Sequence, residues 1–131
     1  MNVTIVKSHY LRVSAPDRVG LLAEVAGRCK EAGINILGIC AYQRDNNAHL
    51  VLHTSDAIRT AQICADMSVI WQEVIEIECE AGIGVLAEIA GKLAQVGINI
   101  IYCYATAGDA PRARLVMDTT HNDRAMETLC G

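Results

Sequence analysis

Residues 20–41 read Gly-Leu-Leu-Ala-Glu-Val-Ala-Gly-Arg-Cys-Lys-Glu-Ala-Gly-Ile-Asn-Ile-Leu-Gly-Ile-Cys-Ala. Sixty-four residues later, 84–105 read Gly-Val-Leu-Ala-Glu-Ile-Ala-Gly-Lys-Leu-Ala-Gln-Val-Gly-Ile-Asn-Ile-Ile-Tyr-Cys-Tyr-Ala, with no gap. Eleven of the 22 pairs are identical, and Val25/Ile89, Arg28/Lys92 and Leu37/Ile101 are conservative. Self-similarity of this quality sets the architecture before any single residue does. An offset of 64 is longer than the ~20–50-residue period of common solenoids and suits a small domain made twice.

Within the first copy, Leu22, Val25, Ala26, Cys29 and Ala32 recur at helical spacing and predict a helix from about 19 to 32 with that stripe buried. Glu24 and Arg28 form an i, i+4 pair on its surface. Gly33 supplies a left-handed cap. Leu86, Ile89, Ala90, Leu93, Val96, the pair Glu88–Lys92 and Gly97 repeat the pattern. Upstream, residues 3–14 read as extended chain, in one strand or in two broken at Lys7-Ser8, and Asp17 is placed to cap the helix. Downstream come a strand over 34–43, hairpin chemistry at Arg44-Asp45-Asn46-Asn47, a return strand over 49–54, and a helix capped by Ser55 or Asp56. A short strand over 67–71 follows. Residues 73–79 then open the second copy, which continues with strand 98–105, a turn at Gly108-Asp109-Ala110-Pro111, strand 114–119 and helix 122–130.

Each unit therefore reads β-α-β-β-α-β, an α+β ferredoxin-like arrangement of antiparallel strands with helices on one face. The units are expected at 1–72 and 73–131, the second without its last strand. Residues 2–6 alternate and are β-branched, so they either supply that strand, within the chain or across a dimer, or simply lengthen the first strand of the first copy. Both faces of strand 34–43 are apolar: Ile34, Ile36, Gly38 and Cys40 on one, Leu37, Ile39 and Ala41 on the other. A sheet with helices on one face alone should be polar on the other. The pattern points to cover by the other unit or by a second chain, hence a homodimer.

Composition narrows the function classes. Of 131 residues, 52% are hydrophobic and 20% charged, and the net charge is −4. There is no Lys/Arg run and only one Trp and four Tyr, which argues against nucleic acid and anionic membrane as partners. The six cysteines at 29, 40, 64, 79, 103 and 130 form no C-x-x-C pair, and several fall on apolar positions. They read as reduced thiols of a cytoplasmic protein. No signal peptide and no membrane span is read. The four histidines lack metal-ligand spacing; His49 and His53 share a strand face about 13 Å apart and read as surface. No nucleophile elbow, P-loop or dinucleotide fingerprint occurs, so neither an enzyme nor a cofactor is expected.

Asp-Arg-Val-Gly-Leu-Leu-Ala-Glu-Val-Ala at 17–26, closed by Gly-Ile-Asn-Ile at 33–36, resembles the ACT domain. Gly-Ile-Gly-Val-Leu-Ala-Glu-Ile-Ala at 82–90 with Gly-Ile-Asn-Ile at 97–100 resembles a second one. The pair is similar to stand-alone tandem ACT proteins of bacteria. The resemblance implies a regulatory module that binds a small ligand, usually an amino acid, at interfaces between ACT units. It implies Asp17, Arg18, Val19, Gly20, Leu21 and Asn35 as ligand-binding residues in the first copy. In the second it implies Gly82, Ile83, Gly84, Val85 and Asn99. The family's Pro before Gly is Val19 and Ile83 here, and the polar position Asp17 becomes Ala81.

The chemistry agrees on its own terms. A helix N-terminus offers unpaired N–H groups to a carboxylate. Gly20 and Gly84 permit close approach to backbone, and Asp17 can pair with an ammonium. Asn35 and Asn99 carry both donor and acceptor in strands that otherwise favour Ile and Leu. Asp17 capping its helix, the glycines serving turn geometry, and the asparagines satisfying backbone are the plainer alternatives.

Overall fold

The computed structural model describes residues 3–106 and 111–130. Its elements are β1 (Val3–Pro16), α1 (Leu21–Glu31), β2 (Ile36–Arg44), β3 (Asn47–Thr54), α2 (Ala57–Ile63), β4 (Ser68–Glu80), α3 (Val85–Gln95), β5 (Ile100–Thr106), β6 (Arg112–Thr119) and α4 (Asn122–Cys130). Two compact units result. One is His9–Gln72; the other joins residues 1–8 to residues 73–131. Residues 1–8, expected in the first unit, thus group with the second. Lys7-Ser8 breaks nothing: β1 is a single strand, and 67–71 and 73–79 likewise merge into β4. Of the expected second hairpin turn, residues 108–110 lie outside the described residues.

In the unit His9–Gln72 the strand order is β2-β3-β1-β4. β3 is antiparallel to both β1 (Leu11 opposite Leu52) and β2 (Cys40 opposite Val51). Val13, Leu50 and Leu52 alternate toward one face and meet Leu21 and Val25 of α1 and Cys64 after α2. In the other unit the order is β1-β4-β6-β5. Ile75, Ile77, Leu115 and Met117 pack under Ile89 and Leu93 of α3 and Leu129 of α4, with Val3 and Ile5 against the same core. Both are α+β units with antiparallel strands and helices on one face. Cys64 occupies the place that Leu129 has in the other unit, so it acts as a small hydrophobe. Burial raises the thiol pKa of Cys29, Cys64 and Cys79. All six cysteines are free.

The helix ends explain themselves. Ile34 N–H donates to the Cys29 carbonyl at 2.9 Å and Gly33 N–H to Lys30 at 3.1 Å, a Schellman cap with Gly33 at φ 72°. Ile98 to Leu93 and Gly97 to Ala94 repeat it at 3.0 and 3.1 Å. Asp45 and Asn46 at φ 53° and 64° make the two-residue hairpin turn whose twist matches the strands.

Two expectations need correction. Helix α1 begins at Leu21, not near Val19, and Asp17 does not cap it: the N-cap is Gly20, with no side-chain cap. The chain reaches the helix through a left-handed residue, which carries Asp17 away from the first turn. The buried stripe also starts one residue earlier than the spacing suggested. Leu21, Val25 and Cys29 are buried while Leu22 is 48% exposed, and Leu86 is 53% exposed.

Candidate functional site

Gly20 sits at φ 87° and Gly84 at φ 87°, and each is the N-cap of its helix without any side-chain hydrogen bond. Leu21 N–H reaches the Arg18 carbonyl at a long 3.4 Å, and Glu24 N–H returns to Gly20 at 2.9 Å. The second and third amides of α1, on Leu22 and Ala23, thus lack a cap. Both residues line a cleft of about 290 Å³, with Asp17, Arg18, Gly20 and Tyr42 among its other walls. Among the described residues nothing pairs with the Asp17 carboxylate, while its N–H is held by the Asn46 carbonyl at 2.9 Å. Arg18 is committed to Glu24, whose carboxyl it holds below the usual range. The cleft therefore presents uncapped amides for a carboxylate beside an unpaired carboxylate for an ammonium.

The other unit builds the same cleft at about 200 Å³ from Gly82, Val85, Leu86, Ala105, Thr106 and Leu115. Val85 N–H to Gly82 at 3.4 Å and Glu88 N–H to Gly84 at 2.9 Å repeat the helix start. Among the described residues no charged side chain lines it. Ala81 stands where Asp17 is and packs toward the core.

The structure brings Asp17, Arg18, Gly20 and Leu21 together in one cleft, and Gly82 and Val85 in the other. Gly84 caps the helix at its mouth. Val19 and Ile83 project fully into solvent, at 102% and 110% exposure. Asn35 and Asn99 line neither cleft. They follow the C-terminal ends of 11-residue helices, about 16 Å from the N-termini. Asn35 N–H donates to Ser55 Oγ at 2.8 Å and its carbonyl accepts from Ser55 N–H at 2.9 Å. Asn99 does the same with Thr120 at 3.1 and 2.9 Å. These are backbone roles, and the side chains are exposed.

Sequence reading missed Leu22, Ala23 and Tyr42 as cleft residues. A signal was present only on the helix, where Leu22 and Leu86 hold equivalent places in the repeat; Tyr42 and Thr106 are equivalent in position alone. His49 and His53, expected at the surface, are half-buried. His53 stacks on Tyr10 with ring centroids 4.7 Å apart, and His49 shares a 2.8 Å hydrogen bond with Ser14. Among the described residues no cluster of metal-ligating side chains occurs, and no helix is long and apolar enough to cross a membrane.

Residues 9–63 match the family model of the ACT domain. A comparison with curated proteins gave no match. Among solved structures, a protein of Bacteroides thetaiotaomicron superposes with a TM-score of 0.86 at 24% identity, over 95% of this chain and 88% of that one. Aspartokinase alpha and beta subunits give 0.68 at 18% identity, covering 98% and 95%. The ligand-free regulatory subunit of aspartate kinase from Thermus thermophilus gives 0.66 at 16%, covering 98% and 95%. At these identities the likeness establishes the fold alone.

Proposed function

We propose that this chain is a regulatory, non-catalytic protein that binds a free amino acid at the cleft over the start of α1. The observation that carries the reading is the pair of uncapped amides at Leu22 and Ala23 opposite the unpaired Asp17 carboxylate. Zwitterion recognition needs such a juxtaposition. The ACT-domain match over the same residues supports it, as do the regulatory subunits among the structural neighbours.

In this reading the chain is a cytoplasmic tandem of two ACT-like units that works as a homodimer, and a partner enzyme receives the signal. β2 and β5 end the strand orders of their units and expose Leu37 (53%), Ile39 (37%) and Ile101 (59%). Open apolar edges of that kind are usually covered. Across a dimer, the free amide of Asn35 or Asn99 would reach a ligand held by another copy's loop. Regulation then requires that the ligand bind one assembly state better than another, since equal affinity shifts nothing.

The test is a thermal-shift and calorimetric panel of the twenty amino acids. A ligand at 100 times its Kd should stabilise the fold by about 2.7 kcal/mol, and Asp17→Ala should abolish the shift. If no amino acid moves the melting temperature, the reading fails. A second reading has an observation of its own. Among the described residues the cleft under Gly84 carries no charged side chain, which suits an interaction module with no zwitterionic ligand in that copy. Asp17→Ala abolishing all binding would assign that role to the second unit.

A further inference from the structure

The unit His9–Gln72 has a second cavity, apart from the cleft over α1. It measures about 450 Å³ and lies where β1, β3 and the start of β4 meet, with Arg12, Ser14, His49, Pro16, Met67 and Ile70 among its walls. That volume falls in the range of small-molecule sites. Its polar end is built from strand residues. Arg12 and Ser14 are two apart on β1 and so share a face. Ser14 Oγ and His49 Nδ1 share their 2.8 Å hydrogen bond, and the His49 ring stacks on Tyr42 at 5.1 Å. Arg12 Nε is shut off from solvent and has no hydrogen-bond partner among the described residues. A buried donor without an acceptor is costly, and structures rarely leave one so.

The one carboxylate in the wall is already spent. Asp66 receives Arg28 Nη1 at 2.6 Å on Oδ1 and Nη2 at 3.0 Å on Oδ2, and that pair holds its carboxyl below the usual range. Arg12 is thus left as the cavity's uncompensated cation. The duplication supplies a control. In the second copy Glu76 stands at the place of Arg12 and Arg114 at the place of His49, and the two close on each other at 3.2 Å. One copy completes this position with an internal ion pair; the other keeps the cation and leaves the space.

We propose that this cavity binds a small organic anion, its carboxylate or phosphate on Arg12 and Ser14 and its apolar body against Pro16, Met67 and Ile70. A guanidinium fork with an adjacent hydroxyl matches an oxyanion in geometry as well as charge. The site is separate from the amino-acid cleft and stands whether or not that cleft binds.

The test follows the His49 ring resonances by NMR while the full chain is titrated with phenyl phosphate, phenylacetate and, as the neutral control, phenol. Saturable shifts are expected with at least one anion and not with phenol. Phosphate-only or carboxylate-only binding names the headgroup, and either supports the site. Arg12→Gln should weaken binding at least about tenfold, while Arg44→Gln, an exposed arginine of the same unit, should change nothing. If Arg12→Gln does not fold, Arg12→Lys keeps the charge without the fork and should still weaken binding several-fold. The proposal is overturned by any of three results: no saturable shift at about 10 mM of either anion, phenol binding as well as the anions, or undiminished binding by the folded Arg12 variant.

Discussion

Gly20 and Gly84 are where a single side chain would matter most for both folding and function. A β-carbon at either would meet nothing within 4 Å, so space is no obstacle. The backbone is: φ of 87° is left-handed, and an L-residue there costs roughly 1–2 kcal/mol. Gly20→Ala should therefore lower stability in urea by about that much, and also weaken amino-acid binding as the loop shifts. A variant as stable as the parent would show that the left-handed turn is not required. Asp66 gives a pH prediction. Its folded pKa lies below the ordinary carboxylate value because of Arg28. Its contribution to stability is then complete above that ordinary value and is lost as pH falls through the depressed one. Asp66→Asn should remove that contribution at neutral pH and flatten the fall in stability below about pH 4, both effects being small because the carboxylate is exposed. Carboxyl NMR titration checks it: Asp66 titrating at the ordinary value would refute the assignment.

At the scale of elements, the phase of α1 can be tested directly. Leu21 is 4% exposed and Leu22 is 48% exposed. Leu21→Ala should cost about 2–4 kcal/mol, and Leu22→Ala under about 1, although both side chains line the cleft. Equal costs would place the stripe as the bare spacing did. The comparison also shows what was legible in the sequence. The helix was readable because Val25 and Cys29 recur with Ile89 and Leu93, and Gly33 and Gly97 end it. Its first buried residue was not, because Leu21 and Leu22 are both apolar and only the left-handed Gly20 fixes which one turns inward. The clefts were legible in their loops and not in their strand walls, since Tyr42 and Thr106 share no chemistry. The register shift between Ile36 and Gly38, repeated between Ile100 and Tyr102, was also hidden. Leu37 and Ile101 lie at these shifts and are exposed, as is Ile39 further along β2. Asn35 and Asn99 stood out as polar residues in apolar stretches, but they precede β2 and β5, and what they do within their own units is done by their backbone.

For the molecule as a whole, the residues that begin the chain are the test of how two copies become two folded units. Val3 and Ile5 pack on the core of Ile75, Ile77 and Met117, beside β4, while Thr4 and Val6 between them are exposed. Lys7 Nζ reaches Asp123 Oδ1 at 2.6 Å, which ties the same segment to α4 and raises the lysine pKa. Residues 3–8 stand beside β4 in the order β1-β4-β6-β5, as the start of β4 stands beside β1 in the other unit. Folding of this unit therefore requires closing a loop through all of His9–Gln72, a cost that grows slowly with length. Ile5→Asp places a charge against that core and should destabilise the unit by about 1–3 kcal/mol, while Thr4→Asp on the other face should do almost nothing. Amide exchange reads both units at once. With Ile5→Asp, protection of 73–80 and of α4 should fall while that of α1 and β3 persists. Unchanged protection over 73–80 would mean that the first strand is only a long strand of the other unit, and that the second unit closes without it.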